Sequence, residues 1–175
     1  MTQDLDRSRC IGQVEGGLVA SAIVPSVSSA SSWIGRAPMK IGVVGAGRQG
    51  RSILGELTKL AGAQVSAVCD SDERRLGSGL RRASGAEGFA SLGEMLSTRS
   101  DLDAVVVATP THTHKAVAVQ AIESGKHVYC EAPLAHTVED CLAINSAARS
   151  AKGVVAAGLQ GRSNPVYDLA RGFFR

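Results

Sequence analysis

Residues 39–54 read MKIGVVGAGRQGRSIL, and no other stretch of the chain restricts its fold as strongly. A β-branched run, Lys40 to Val44, leads into three glycines spaced GxGxxG, and a helical pattern from Arg48 to about Leu60 follows. Each glycine has its own physical task at such a strand-to-helix turn. Gly45 permits the tight turn, Gly47 lacks the Cβ that would keep a pyrophosphate from the backbone, and Gly50 lets helix and strand pack closely. A helix that opens here offers unpaired N–H groups and the positive end of its dipole to an anion. The motif is informative because strand, glycines and helix occur in register.

The chain beyond this unit repeats the same alternation. Further strands are expected at Gln64–Cys69, Gly88–Ala90, Ala104–Ala108, His127–Cys130 and Val154–Gly158. Helices are expected at Ser71–Ala83, Ser91–Leu96, His112–Ser124 and Thr137–Ser150, the third closed by Gly125 at a left-handed C-terminal position. The spacing of Val138, Cys141, Leu142 and Ile144 predicts an inward helical face. Ala104–Ala108 is apolar on both faces, as a central parallel strand is. Right-handed βαβ units then build an α/β, doubly wound parallel sheet of Rossmann type. Apolar residues make up 44% of the chain but aromatics only 3%, so its core is built from Ala, Val, Leu and Ile.

Asp70 closes the second strand at the spacing where a carboxylate accepts hydrogen bonds from an adenosine ribose diol. Its charge repels a 2′-phosphate, which favours NAD over NADP. Arg74 and Arg75 leave NADP open. The candidate cofactor contacts here are Gly45, Ala46, Gly47, Arg48, Gln49, Gly50, Asp70 and Ser71. The competing reading is a glycine turn with an acidic helix cap and no ligand.

Three later stretches carry a resemblance. ATPTHTH (108–114) follows the fourth strand, GKHVYCEAPLA (125–135) contains the fifth, and GLQGRSNP (158–165) follows the sixth. With GAGRQG they resemble the N-terminal domain of the glucose–fructose oxidoreductase, inositol dehydrogenase and MocA-type family (Gfo/Idh/MocA), over about Met39 to Arg175. The resemblance implies that Thr109 and Pro110 shape the loop beside the cofactor's ribose and diphosphate. His114 starts the next helix near the same cleft. Glu131 reaches the ribose hydroxyls on the nicotinamide side. Ala132 and Pro133 complete that loop, and the peptide bond between them is a candidate for the cis form. The plainer readings are helix-start polar residues for His112 and His114, a structural histidine at His127 and a loop acid at Glu131.

The family pattern also exposes a departure. Where the acid-x-proline loop of the family has a lysine that assists proton transfer at the substrate hydroxyl, this chain has Ala132, which has no ionisable group. The family's antiparallel substrate domain, commonly its oligomer interface, would follow Arg175. The resemblance thus implies a nucleotide-binding domain at 39–158 and the beginning of a truncated α+β second domain at 159–175. The complete protein would act on a sugar, polyol or related hydroxy compound, and this chain alone would be inactive, with no catalytic residue assigned. Two other readings stand: a relative of the NAD-dependent glycosidases with no net redox change, and a non-catalytic module or gene fragment.

Residues 1–38 differ from the rest, being rich in Ser, Ala and Gly. Arg7 and Arg9, the weakly apolar 16–24 stretch and Ser28-Ser29-Ala30 outline a degenerate twin-arginine-like export signal. A disordered cytoplasmic tail and a true start at Met39 are the alternatives. The net charge of +3 is dispersed and lacks aromatic interleaving, which argues against nucleic acid. No apolar run is long enough to span a membrane. The cysteines, Cys10, Cys69, Cys130 and Cys141, fit neither a redox nor a zinc spacing, and His112 and His114 have no partner ligands in sequence, so no metal is expected.

Overall fold

The computed structural model describes residues 37–159, together with Val166 and Ala170. The leader readings on residues 1–36, Cys10 included, fall outside the described residues. So does the stretch 159–175 read as the opening of a second domain, apart from Leu159 and the helical Val166 and Ala170. Among residues 37–159, six strands, β1 (Met39–Val44), β2 (Ala63–Cys69), β3 (Glu87–Phe89), β4 (Ala104–Val107), β5 (His127–Glu131) and β6 (Val155–Gly158), alternate with five α-helices. These are α1 (Arg48–Leu57), α2 (Glu73–Leu80), α3 (Leu92–Thr98), α4 (His114–Glu123) and α5 (Val138–Ser150). All five strand pairings are parallel, in the order β3-β2-β1-β4-β5-β6. The order reverses between β1 and β4, and that switch point is where open α/β sheets leave a crevice for a ligand.

The two faces of the sheet bury separate cores. On one, Leu54 of α1 packs with Ile41, Val43, Val68 and Val106, bordered by Leu76 and Leu80 of α2. On the other, Leu92 and Met95 of α3, Ala118, Ala121 and Ile122 of α4, and Ile144 of α5 enclose Val105, Val107, Val128 and Cys130. Met95, Leu54 and Ile144 are among the largest side chains fully removed from water, and each such burial stabilises the fold by about 1.5–3 kcal/mol. Small side chains such as Ala118 and Ala121 let the helices approach the sheet closely.

Two expectations need correction. Val138 and Leu142 do not face inward: they are 54% and 60% exposed. At about 100° per residue, Leu142 lies on the side of α5 opposite Ile144 and Val138 about 120° away. The inward stripe is Cys141, Ile144, Ala147 and Ala151. The expected helix from His112 is also divided. Residues Thr111–Thr113 form a 3₁₀ turn before α4 starts at His114. Thr113 Oγ1 contacts Thr109 Oγ1 and the Pro110 carbonyl, both at 2.8 Å, and this holds the tighter turn.

Cys69 and Cys130 are buried free thiols, and Cys141 is half-buried. Burial pushes the Cys69 thiol up to about 11 and the Cys130 thiol up to about 12. Among the described residues, no helix is long and apolar enough to cross a membrane.

Candidate dinucleotide-binding site

The glycine turn is wedged between the ends of β2 and β4. Gly45 donates its N–H to the Cys69 carbonyl at 2.8 Å and has φ +93°. A Cβ there would lie 2.6 Å from the Ala108 carbonyl oxygen, so both conformation and space demand glycine. A Cβ on Gly50 would collide with the carbonyl oxygen of Gly45. Gly47 differs from both, since a Cβ there would meet no heavy atom within 4 Å. It faces open space at the mouth of α1. Ala46 is buried beneath, and Arg48 and Gln49 are exposed at the start of the helix.

Helix capping marks the same place. Asp72, Ser91 and Thr137 cap α2, α3 and α5 with their side chains, and each of these helices has an acid in its first turn. α1 and α4 have neither a side-chain cap nor an acid there. These are the two helices that leave the strands flanking the switch point. At α1 the first-turn N–H groups and dipole end are left unneutralised, the condition in which a helix start attracts an anion, whereas α4 continues from the 3₁₀ turn, with the His114 N–H bonded to the Thr111 carbonyl.

Asp70 stands on the β2 side of the turn. Its Oδ2 accepts the Ala46 N–H at 2.7 Å and its Oδ1 accepts the Asp72 N–H at 2.9 Å. The carboxylate therefore fastens the glycine turn to the end of β2. A carboxylate oxygen has two acceptor sites, so capacity for a diol remains. The spacing that singled out Asp70 contains no signal for the Ala46 contact. Ser71 is exposed beside it. Asp72 is held below the usual carboxylate range by the N–H groups of Arg75 and Arg74 and by their guanidinium charges.

On the β4 side the loops are held by side chains. His114 is only 1% exposed. Its Nε2 lies 2.8 Å from the Thr109 carbonyl oxygen and its Nδ1 3.0 Å from that of Pro133. A carbonyl can only accept, so each contact is a hydrogen bond when the facing nitrogen bears a proton. His114 thus lies beneath both loops and joins them. Thr109 is half-buried and Pro110 exposed above it. Glu131 ends β5 half-buried, Ala132 and Pro133 are exposed, and the bond between them is cis. Tyr129, absent from the candidate residues, donates its hydroxyl to Glu131 Oε1 at 3.0 Å. The alternation of strand side chains was the available signal, since residues two apart share a face. His127 has a structural partner, its Nδ1 accepting the Val154 N–H at 2.9 Å.

The candidate residues thus converge on the carboxyl ends of β1, β2, β4 and β5, with the glycine turn central, Asp70 to one side and Glu131 to the other. Such a sheet and turn define the dinucleotide-binding class of doubly wound domains. A family model, the oxidoreductase family with an NAD-binding Rossmann fold (Gfo/Idh/MocA), matches residues 39–159, and the chain belongs to this family. Inositol 2-dehydrogenase 1 of Saccharopolyspora erythraea is 42% identical over 137 residues, 76% of this chain and 40% of that protein. The alpha-N-acetylgalactosaminidase of Shewanella oneidensis is 32% identical over 156 residues, 76% of this chain and 34% of that protein. Among solved structures, a WlbA dehydrogenase from Chromobacterium violaceum, in complex with NADH and UDP-GlcNAcA, is 34% identical with a TM-score of 0.72. That match covers 77% of this chain and 39% of its own. The chain thus spans well under half the length of these relatives.

Proposed function

We propose that this chain binds NAD across the switch point and supplies the nucleotide-binding half of an oxidoreductase acting on a sugar, polyol or related hydroxy compound. The observation that carries this reading is the uncapped start of α1 beside the open position at Gly47. The N–H groups of residues 47–50 meet the pyrophosphate there. Asp70 accepts from the adenosine ribose, with Ser71 adjacent. Thr109 and Pro110 shape the loop beside the cofactor's ribose and diphosphate, Glu131 reaches the nicotinamide-side ribose, and His114 holds their loops from below. Bound NAD would supply a hydride acceptor or donor. This chain's residues bind and orient it.

Ala132 offers no group to move a proton at the substrate hydroxyl, so the reading includes no dehydrogenase turnover by this chain alone. In the same reading, residues 39–158 form the nucleotide domain, 159–175 open a substrate-bearing and oligomer-forming domain, and 1–38 are a leader. The 32% identity to the Shewanella enzyme together with Ala132 favours a second reading, in which the complete protein uses NAD in glycosidic cleavage without net redox change.

Calorimetric titration with NAD and NADP tests the first claim. Saturable binding with NAD preferred supports it, and no binding to either would overturn it. NADH formation by the purified chain with any polyol would overturn the claim of inactivity. Retained NAD with sugar release and no net NADH in the complete protein would select the glycosidic reading.

A further inference from the structure

We propose that Tyr129 is a positioning residue that sets how Glu131 meets the nicotinamide-side ribose, and that Gly158 makes room for it to do so. The inference rests on the reading that NAD occupies the cleft with Glu131 at that ribose. Strand alternation puts Tyr129 and Glu131 on one face of β5, while Val128 and Cys130 are buried on the other. Tyr129 reaches along this face to donate its hydroxyl to Glu131 Oε1 at 3.0 Å.

The neighbouring strand is shaped to fit. The parallel register pairs Glu131 with Gly158 of β6. A Cβ on Gly158 would lie 2.5 Å from Tyr129 Oη, 2.8 Å from Cζ and 3.1 Å from the Glu131 Cα. The phenol therefore lies across the α-carbon of Gly158, and any side chain there would push it from its acceptor. Gly158 has no positive φ, so space rather than backbone conformation calls for glycine. Burial and the adjoining Glu131 push the phenol up to about 12, so the hydroxyl keeps its proton and remains a donor throughout the neutral range.

A glutamate at the end of a strand swings broadly about its terminal torsion. With Oε1 engaged by the phenol, that swing is removed and Oε2 is left for a ribose hydroxyl. A group ordered before the ligand arrives loses less freedom on binding. The predicted effect belongs to the nicotinamide end only. ADP, which has the adenosine ribose and diphosphate but no second ribose, should not sense it.

The test is calorimetry on the full chain with NAD and with ADP, for wild type, Tyr129→Phe, Gly158→Ala, Glu131→Ala and the Tyr129→Phe/Glu131→Ala pair. Tyr129→Phe and Gly158→Ala should each weaken NAD about threefold to tenfold and leave ADP unchanged. Tyr129→Phe should cause no further loss once Glu131 is alanine. Unchanged NAD affinity in Tyr129→Phe, equal loss of NAD and ADP, or full additivity with Glu131→Ala would overturn the inference. Failure of the wild type to bind NAD would instead overturn the NAD reading, and this inference with it.

Discussion

The two sides of the cleft are held by different means. On the β2 side, a glycine turn fits against backbone, and one carboxylate, Asp70, fastens it through the Ala46 N–H. Gly45 and Gly50 are demanded by carbonyl oxygens, of Ala108 and Gly45 respectively. On the β4 and β5 side, the loops depend on side chains: His114 beneath Thr109 and Pro133, and Tyr129 behind Glu131. The first arrangement is stiff because backbone cannot yield. The second is adjustable, since one side chain can change without rebuilding a turn.

The sharpest challenge to the comparison is Gly50→Ala. Its Cβ would press on a carbonyl whose own residue is bonded to Cys69, so neither group can move freely. We expect a stability loss of about 3 kcal/mol by urea unfolding and loss of both NAD and ADP binding. A variant that binds both normally would show that the turn can relax.

His114→Ala comes next. It leaves the Thr109 and Pro133 carbonyls without their partner and opens a cavity, costing about 2–3 kcal/mol in urea unfolding. In the folded fraction, calorimetry should show NAD affinity falling well beyond ADP affinity. Equal losses would erase the distinction between the two sides.

A smaller effect is expected from Asp70→Ala. Both dinucleotides should weaken, because the Ala46 anchor is lost, but NAD by about tenfold more than NADP, because only NAD presents the 2′-hydroxyl to the carboxylate. Parallel titrations that give the same loss for both would show that Asp70 only braces the turn.

The mildest difference is in pH. Cys69 on β2 and Cys130 on β5 ionise at about 11 and about 12 in the folded chain, against an ordinary 9.0. The folded state therefore holds these protons more tightly than the unfolded chain does. Their contribution is complete below pH 9 and is lost as pH rises through 9 towards 11 and 12. Urea midpoints should fall over that window, and Cys69→Ala should flatten the decline. An unchanged slope would show that these thiols ionise without unfolding.

Much of the fold was legible because it depends on short-range pattern. The β-branched runs, the glycine triplet and Gly125, whose φ is +75°, each state a local backbone requirement, and their alternation implies a parallel sheet. The α5 face was misread because apolar side chains at a helix start do not always turn inward. Val138 and Leu142 are spaced plausibly, yet the packing of α5 selects Cys141, Ile144 and Ala147. Residues 112 and 113 of the 3₁₀ turn were read as α-helix because the turn's cause, Thr113 reaching back to Thr109 and Pro110, is a matter of side-chain geometry.

By itself, the sequence determined the strand–glycine–helix turn, the acid at the end of β2 and the place of Glu131 at the end of β5. Neighbours along the chain create these, so local spacing encodes them. Only the tertiary structure decided that Asp70 also braces Ala46, that His114 is a buried strut joining two loops, and that Tyr129 lies across Gly158 to hold Glu131. The Asp70–Ala46, His114–Pro133 and Tyr129–Gly158 contacts join residues 19 to 29 positions apart. Parallel pairing and the approach of α4 to the sheet create them, and no window of sequence contains that distance.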